Sequence, residues 1–121
     1  MSACGFPKAL HLRTQAHFKR VFGSNRCFRT KYWIVLFIPN AYTYPRLGLS
    51  VAKKNIPTAV GRNRIKRLIR ESFRAQQGAL ANLDIVIVVR KLVGSTDNTT
   101  ISKQLTRSWH GVIEQANNFV D

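Results

Sequence analysis

The sequence predicts an α+β fold: one small domain in which a mixed β-sheet of about four strands packs with three helices, in the order αβββαβα. Three observations predict it. Residues 27–38, CFRTKYWIVLFI, and 84–90, DIVIVVR, are rich in β-branched and aromatic residues, as strands are. Residues 46–54, RLGLSVAKK, alternate at the period of a strand. Residues 61–74, GRNRIKRLIRESFR, switch to a helical period.

The elements follow in chain order. Residues 1–13 read as an irregular basic lead-in, and residues 1–121 as a single domain without linker or repeat. Thr14 can cap a short helix over 15–23, with Phe18, Val21 and Phe22 on one face. The 27–38 strand is expected to break near Thr30. PNAYTYP, between Pro39 and Pro45, is a turn. In the next strand Leu47, Leu49 and Val51 point one way, and Arg46, Gly48, Ser50, Ala52 and Lys54 the other. That second face is small, polar and basic, which suits an exposed floor. Pro57 can start a helix reaching about Gln77. DIVIVVR is a strand buried on both faces. Residues 98–119 form a last helix, with Ile101, Leu105, Trp109, Val112, Ile113 and Ala116 inward.

The chain has 121 residues, 45 % of them hydrophobic, which is enough for one modest core and excludes a disordered basic tail. Its net charge is +15. Residues 1–70 hold fifteen Lys and Arg and no acid, while residues 71–121 hold five of each sign. The positive field therefore belongs to one side of the fold, which points to a polyanion. Cys4 and Cys27 have no zinc or redox spacing and are expected to be free thiols. The longest apolar run, residues 33–39, is too short to span a bilayer. No signal peptide is visible, and the expected location is the cytoplasm without a membrane partner.

The basic helix carries the functional signal. Ile65, Leu68, Ile69 and Phe73 make its apolar stripe; Asn63, Lys66, Arg67, Arg70 and Arg74 lie roughly opposite. Arg62 falls beside Ile69 and Phe73, where it can serve either the RNA or the fold. Arg outnumbers Lys five to one here, and the planar guanidinium binds phosphate bidentately and stacks on bases. Phe18 and Phe22, beside Lys19 and Arg20 and above the 46–54 floor, could stack on unpaired bases or serve as plain core.

The run RLGLSVAKKNIPTAVGRNRIKRLIRESFR, residues 46–74, resembles the signature region of the bacterial ribonuclease P protein component. The Arg62-Asn63-Arg64 motif, the GLSVAKK strand before it, FKRVF near the N-terminus, DIVIVVR and the closing helix stand in the family's order. The resemblance implies a ribonucleoprotein endonuclease that removes the 5′ leader from precursor tRNA. Catalysis would belong to an RNA subunit with its Mg2+ ions, and one protein would join each RNA subunit. Arg62, Asn63, Arg64, Lys66, Arg67 and Arg70 would then meet the RNA subunit. Phe18, Phe22, Ser50, Lys53 and Lys54 would belong to the cleft for the leader. The family further implies a left-handed crossover through the basic helix, against the usual right-handed rule.

No catalytic or metal-binding residue is expected in the polypeptide. Its acids, Glu71, Asp84, Asp97, Glu114 and Asp121, are scattered, and His11, His17 and His110 have no ligand spacing. The competing reading is a structural RNA-binding protein of ribosomal type. Charge and fold class allow it; the motif over residues 62–70 favours ribonuclease P.

Overall fold

A computed structural model describes residues 15–23 and 26–117, with side chains from Lys19 onward. The elements are α1 (Gln15–Phe22), β1 (Cys27–Arg29), β2 (Trp33–Pro39), β3 (Arg46–Ser50), α2 (Ala59–Ala75), β4 (Leu83–Val89) and α3 (Asn98–Asn117). A short 3₁₀ turn, Lys91–Ser95, joins β4 to α3. It is absent from the sequence reading.

The strands form one mixed sheet in the order β1-β2-β4-β3. β2 is antiparallel to β1 and to β4, whereas β3 and β4 are parallel and joined through α2. Alternation then sorts the side chains. Trp33, Val35 and Phe37, Ile85, Ile87 and Val89, and Leu47 face α2 and α3. There they pack against Ile65, Ile69 and Phe73 of α2 and Ile101, Leu105, Trp109 and Val112 of α3. The opposite face carries Leu36, Ile38, Val86 and Val88 under Val21 of α1. Strand β4 is therefore buried on both faces, as its continuous apolar run predicts.

Two serines complete the core where periodicity shows only a polar interruption. The Trp33 indole donates to Ser108 Oγ at 2.9 Å, and Ser108 donates to the Gln104 carbonyl at 2.8 Å. The Trp109 indole donates to Ser72 Oγ at 2.8 Å. Each buried indole N–H thus keeps a partner.

Several boundaries move for local reasons. Thr30 Oγ1 accepts from the backbone N–H groups of Tyr32 and Trp33, so the chain turns and the 27–38 segment splits in two. The 46–54 segment stops at Ser50, because the Ala52 carbonyl accepts from Asn55 and Ile56 and closes a turn. Helix α2 starts one residue after Thr58, whose hydroxyl caps it, rather than at Pro57. The predicted cap Thr14, the lead-in 1–13 and the end of the last helix at 119 lie outside the described residues.

Candidate nucleic-acid interface

Helix α2 begins with a close fit. Thr58 Oγ1 accepts from the Gly61 N–H at 3.0 Å. A Cβ on Gly61 would lie 2.8 Å from that oxygen and 3.0 Å from Ile56 Cγ2. Glycine thus lets the cap and Ile56 sit against the first turn, just ahead of Arg62. No acid occupies this turn, so the positive end of the helix dipole adds to the basic side chains.

The apolar stripe of α2 is anchored as predicted: Ile65, Ile69 and Phe73 are buried and Leu68 packs beside them. Asn63 and Arg67 are exposed; Lys66, Arg70 and Arg74 are half-exposed. Lys66, Arg67 and Arg70 make no ion pair among the described residues. Val60, Asn63, Arg64 and Arg67 line a shallow groove of about 430 Å³ on this face.

The two arginines of the Arg-Asn-Arg motif hold the fold. Arg62 donates to the carbonyls of Ile56 and Pro57 at 3.0 and 2.9 Å, tying α2 to the loop before it. Arg64 donates to the carbonyls of Val93 and Thr96, each at 3.3 Å, and to Asn98 Oδ1. It therefore binds α2 to the junction of the 3₁₀ turn and α3. Asn63, between them, points to solvent.

The second cationic surface is on the α1 side of the sheet. The register places Ser50, Val88, Ile34 and Arg29 in one row across the four strands. Ser50, Val88 and Ile34 are half-buried and Arg29 is exposed. Lys53 and Lys54 are exposed on the turn after β3, and Phe22 is 47 % exposed at the end of α1. The structure thus gathers Ser50, Lys53 and Lys54 at one end of β3. The side chain of Phe18 lies outside the described residues. Arg29, Ile34 and Val88 are additions that the sequence reading missed, since they come from strands whose register periodicity does not give.

Two predicted floor residues, Arg46 and Gly48, are buried instead. Arg46 is 9 % exposed, and its guanidinium donates to both carboxylate oxygens of Asp84, at 2.8 and 2.6 Å. Asn40 and Arg20 also donate to Asp84, at 2.8 and 2.6 Å, and Arg20 donates to the Pro39 carbonyl at 2.9 Å. The small, basic pattern of the strand hid a buried ion pair whose partner is 38 residues away. Burial pushes the Asp84 carboxyl toward its neutral form, but the hydrogen bonds from Arg46, Asn40 and Arg20 and the Arg46 charge outweigh it. The acid is held below the usual carboxylate range, and the Arg46 guanidinium, bonded to it, is pushed up. Arg20 is the only one of these cations on α1, so the network fastens α1 to the sheet.

Among the described residues no three His, Cys, Asp or Glu side chains gather as metal ligands, and no helix is long and apolar enough to cross a membrane.

The Ribonuclease P family model matches residues 6–112. The ribonuclease P protein component of Pasteurella multocida is 44 % identical over 116 residues, covering 96 % of this chain and 98 % of that protein. The solved ribonuclease P protein of Staphylococcus aureus superposes with a TM-score of 0.76 at 29 % identity, covering 90 % of this chain and 96 % of that one. That of Thermotoga maritima gives 0.71 at 32 %, covering 80 % and 92 %. With a family match across almost the whole chain and the same fold in solved relatives, this chain belongs to the ribonuclease P protein family.

Proposed function

We propose that the chain is the protein subunit of a ribonucleoprotein that removes the 5′ leader from precursor tRNA. The observation that carries this reading is the separation of two cationic surfaces by the sheet. Helix α2 presents Asn63, Lys66, Arg67 and Arg70 on one side; the α1 side carries Phe22, Ser50 and Arg29, with Lys53 and Lys54 exposed on the turn after β3. Two separated surfaces suit two RNA partners held at once. The α2 stripe would hold the catalytic RNA subunit, and the α1 side the unpaired leader.

The protein's own residues act by position and charge. Each phosphate neutralised by Lys or Arg releases counterions, which gives affinity that falls with salt. Phe22 offers an exposed ring to an unpaired base. Among the described residues Asp84 is occupied by Arg46, Arg20 and Asn40, Asp97 bonds Thr100 at the start of α3, and no three acidic, His or Cys side chains gather as ligands for a magnesium ion. Mg2+ therefore belongs mainly to the RNA subunit in this reading. The cationic surfaces lower the repulsion between the two RNAs, so less of the ion suffices. One protein per RNA subunit, in the cytoplasm, completes the proposal.

The test is cleavage of a precursor tRNA by a bacterial ribonuclease P RNA at low magnesium, with and without the protein. Lys66→Ala with Arg67→Ala is the informative variant, because neither side chain holds the fold. The expected result is stimulation by the wild type that the double variant loses and high magnesium restores. RNA binding without stimulation would instead support a structural role of ribosomal type.

A further inference from the structure

Residue 42 lies in the turn between β2 and β3, outside the residues assigned to either surface. Tyr42 is 43 % exposed, yet it is braced on three sides. Its N–H donates to Asn40 Oδ1 at 2.9 Å, its ring stacks on Tyr44 with centroids 5.1 Å apart, and the Arg46 guanidinium lies 4.6 Å from its ring. Asn40 donates in turn to Asp84 and to the Tyr44 carbonyl. The turn is thus cross-linked to the carboxylate that fastens α1. A solvent-exposed ring held this way has already lost the freedom that a binding partner would otherwise have to remove.

Its place is as telling as its rigidity. Arg46, Gly48 and Ser50 point to the same side of β3, the side under α1. Ser50 and the two lysines stand at one end of that line, and Tyr42 stands at the other, over Arg46. From Ser50 to Arg46 the strand runs about 13 Å, at about 3.3 Å per residue. That length takes at most about four nucleotides stacked at about 3.4 Å. The Asp84 carboxylate at the Tyr42 end is already shared by Arg20 and Arg46, two cations to one anion.

We infer that the leader surface continues past Arg46 and that the Tyr42 ring contacts an unpaired RNA nucleotide leaving the sheet there. The inference rests on the reading that the α1 side holds the leader. With the leader entering at Ser50 and the lysines, it assigns to Tyr42 the leader nucleotides farthest from the cleavage site.

The experiment measures the affinity of the reconstituted holoenzyme for precursor tRNAs whose leaders end before Tyr42 or pass it. The wild type is expected to bind the long leader more tightly. Tyr42→Ala should weaken that binding about five- to tenfold, within the range of one base–aromatic contact, and leave the short leader unchanged. Tyr42→Phe, which keeps the ring on Tyr44, should retain most of the gain. A Tyr42→Ala protein that matches the wild type on both leaders overturns the inference and leaves the leader surface standing. Equal weakening on both leaders also overturns it, by making Tyr42 a brace for Arg46 alone. If the wild type binds both leaders equally, the inference is likewise overturned; a precursor with no leader that binds as tightly as both would remove the leader reading itself.

Discussion

The basic residues of α2 divide into those that hold the fold and those that face outward, and paired substitutions should separate them. Arg64 is the sharpest case. Replacing it with Met keeps the aliphatic stem and removes the guanidinium. Three hydrogen bonds are lost, to the carbonyls of Val93 and Thr96 and to Asn98 Oδ1. A single bond to a charged group contributes about 1.5–3 kcal/mol, but the two carbonyl contacts are long at 3.3 Å and the side chain is partly solvated. The expected loss is therefore about 1–2 kcal/mol. In a domain of this size that lowers Tm by roughly 3–10 °C. Arg67→Met removes an exposed side chain with no protein partner, and its stability should stay within about 0.5 kcal/mol of wild type.

RNA affinity should show the reverse order. If Arg67 meets a phosphate of the RNA subunit, its loss lowers the slope of log affinity against log salt by about 0.7–0.9. Thermal melts and a salt titration of RNA-subunit binding, run on both variants, give the two readouts. An Arg64→Met protein that melts with the wild type would refute the assignment of this guanidinium to the fold. An Arg67→Met protein with an unchanged salt slope would remove Arg67 from the RNA surface.

Three further outcomes follow from the packing. Gly111→Ala should destabilise by about 1–3 kcal/mol, although alanine is the better helix former, because its Cβ would sit 2.3 Å from Phe28 Cε2; denaturant unfolding with Phe28→Leu as a rescuing partner checks it. Ser108→Ala should cost about 1–3 kcal/mol by leaving the Trp33 indole unpaired in the core, read as a lower denaturation midpoint at unchanged m-value. The Asp84 carboxyl has a lowered pKa in the fold, so its contribution is complete above the ordinary value of about 3.9 and is lost as pH falls through the lower folded value. In acid titrations of stability, Asp84→Asn should be less stable at neutral pH and show a shallower acid limb; parallel curves would refute the linkage.

The sequence makes whatever repeats within one element legible. The stripe of Ile65, Ile69 and Phe73 needs only a helical period, and the burial of β4 needs only its apolar run. What needs a partner from another element stays hidden. Arg46 has the right parity on β3, but nothing local says that Asp84 lies beside it in the neighbouring strand. Ser72 and Ser108 read as polar breaks in apolar faces until the two indoles are placed against them. Arg29 joins the row of Ser50 only through two intervening strand registers. Gly111 looks like a weak point of α3, and its reason is a ring on β1.

The same division explains how so basic a helix is held in place. Clustered cations repel, and α2 has six between Arg62 and Arg74 with one acid, Glu71. The motif arginines do not meet that charge with carboxylates, which would cancel the field that RNA needs. They bond main-chain carbonyls instead, which carry dipoles but no net charge. The helix is thereby tied to its preceding loop at Arg62 and to the α3 junction at Arg64. Its positive charge is left intact for Lys66, Arg67 and Arg70. A guanidinium suits this task better than an ammonium, because its planar fork reaches two carbonyls from one side chain and stays charged in partial burial. The Asp84 cluster is the counter-case: there a carboxylate offsets one of two guanidinium charges, at the corner where α1 must be fastened. The fold thus uses a carboxylate where it needs attachment and carbonyls where it needs attachment and field together.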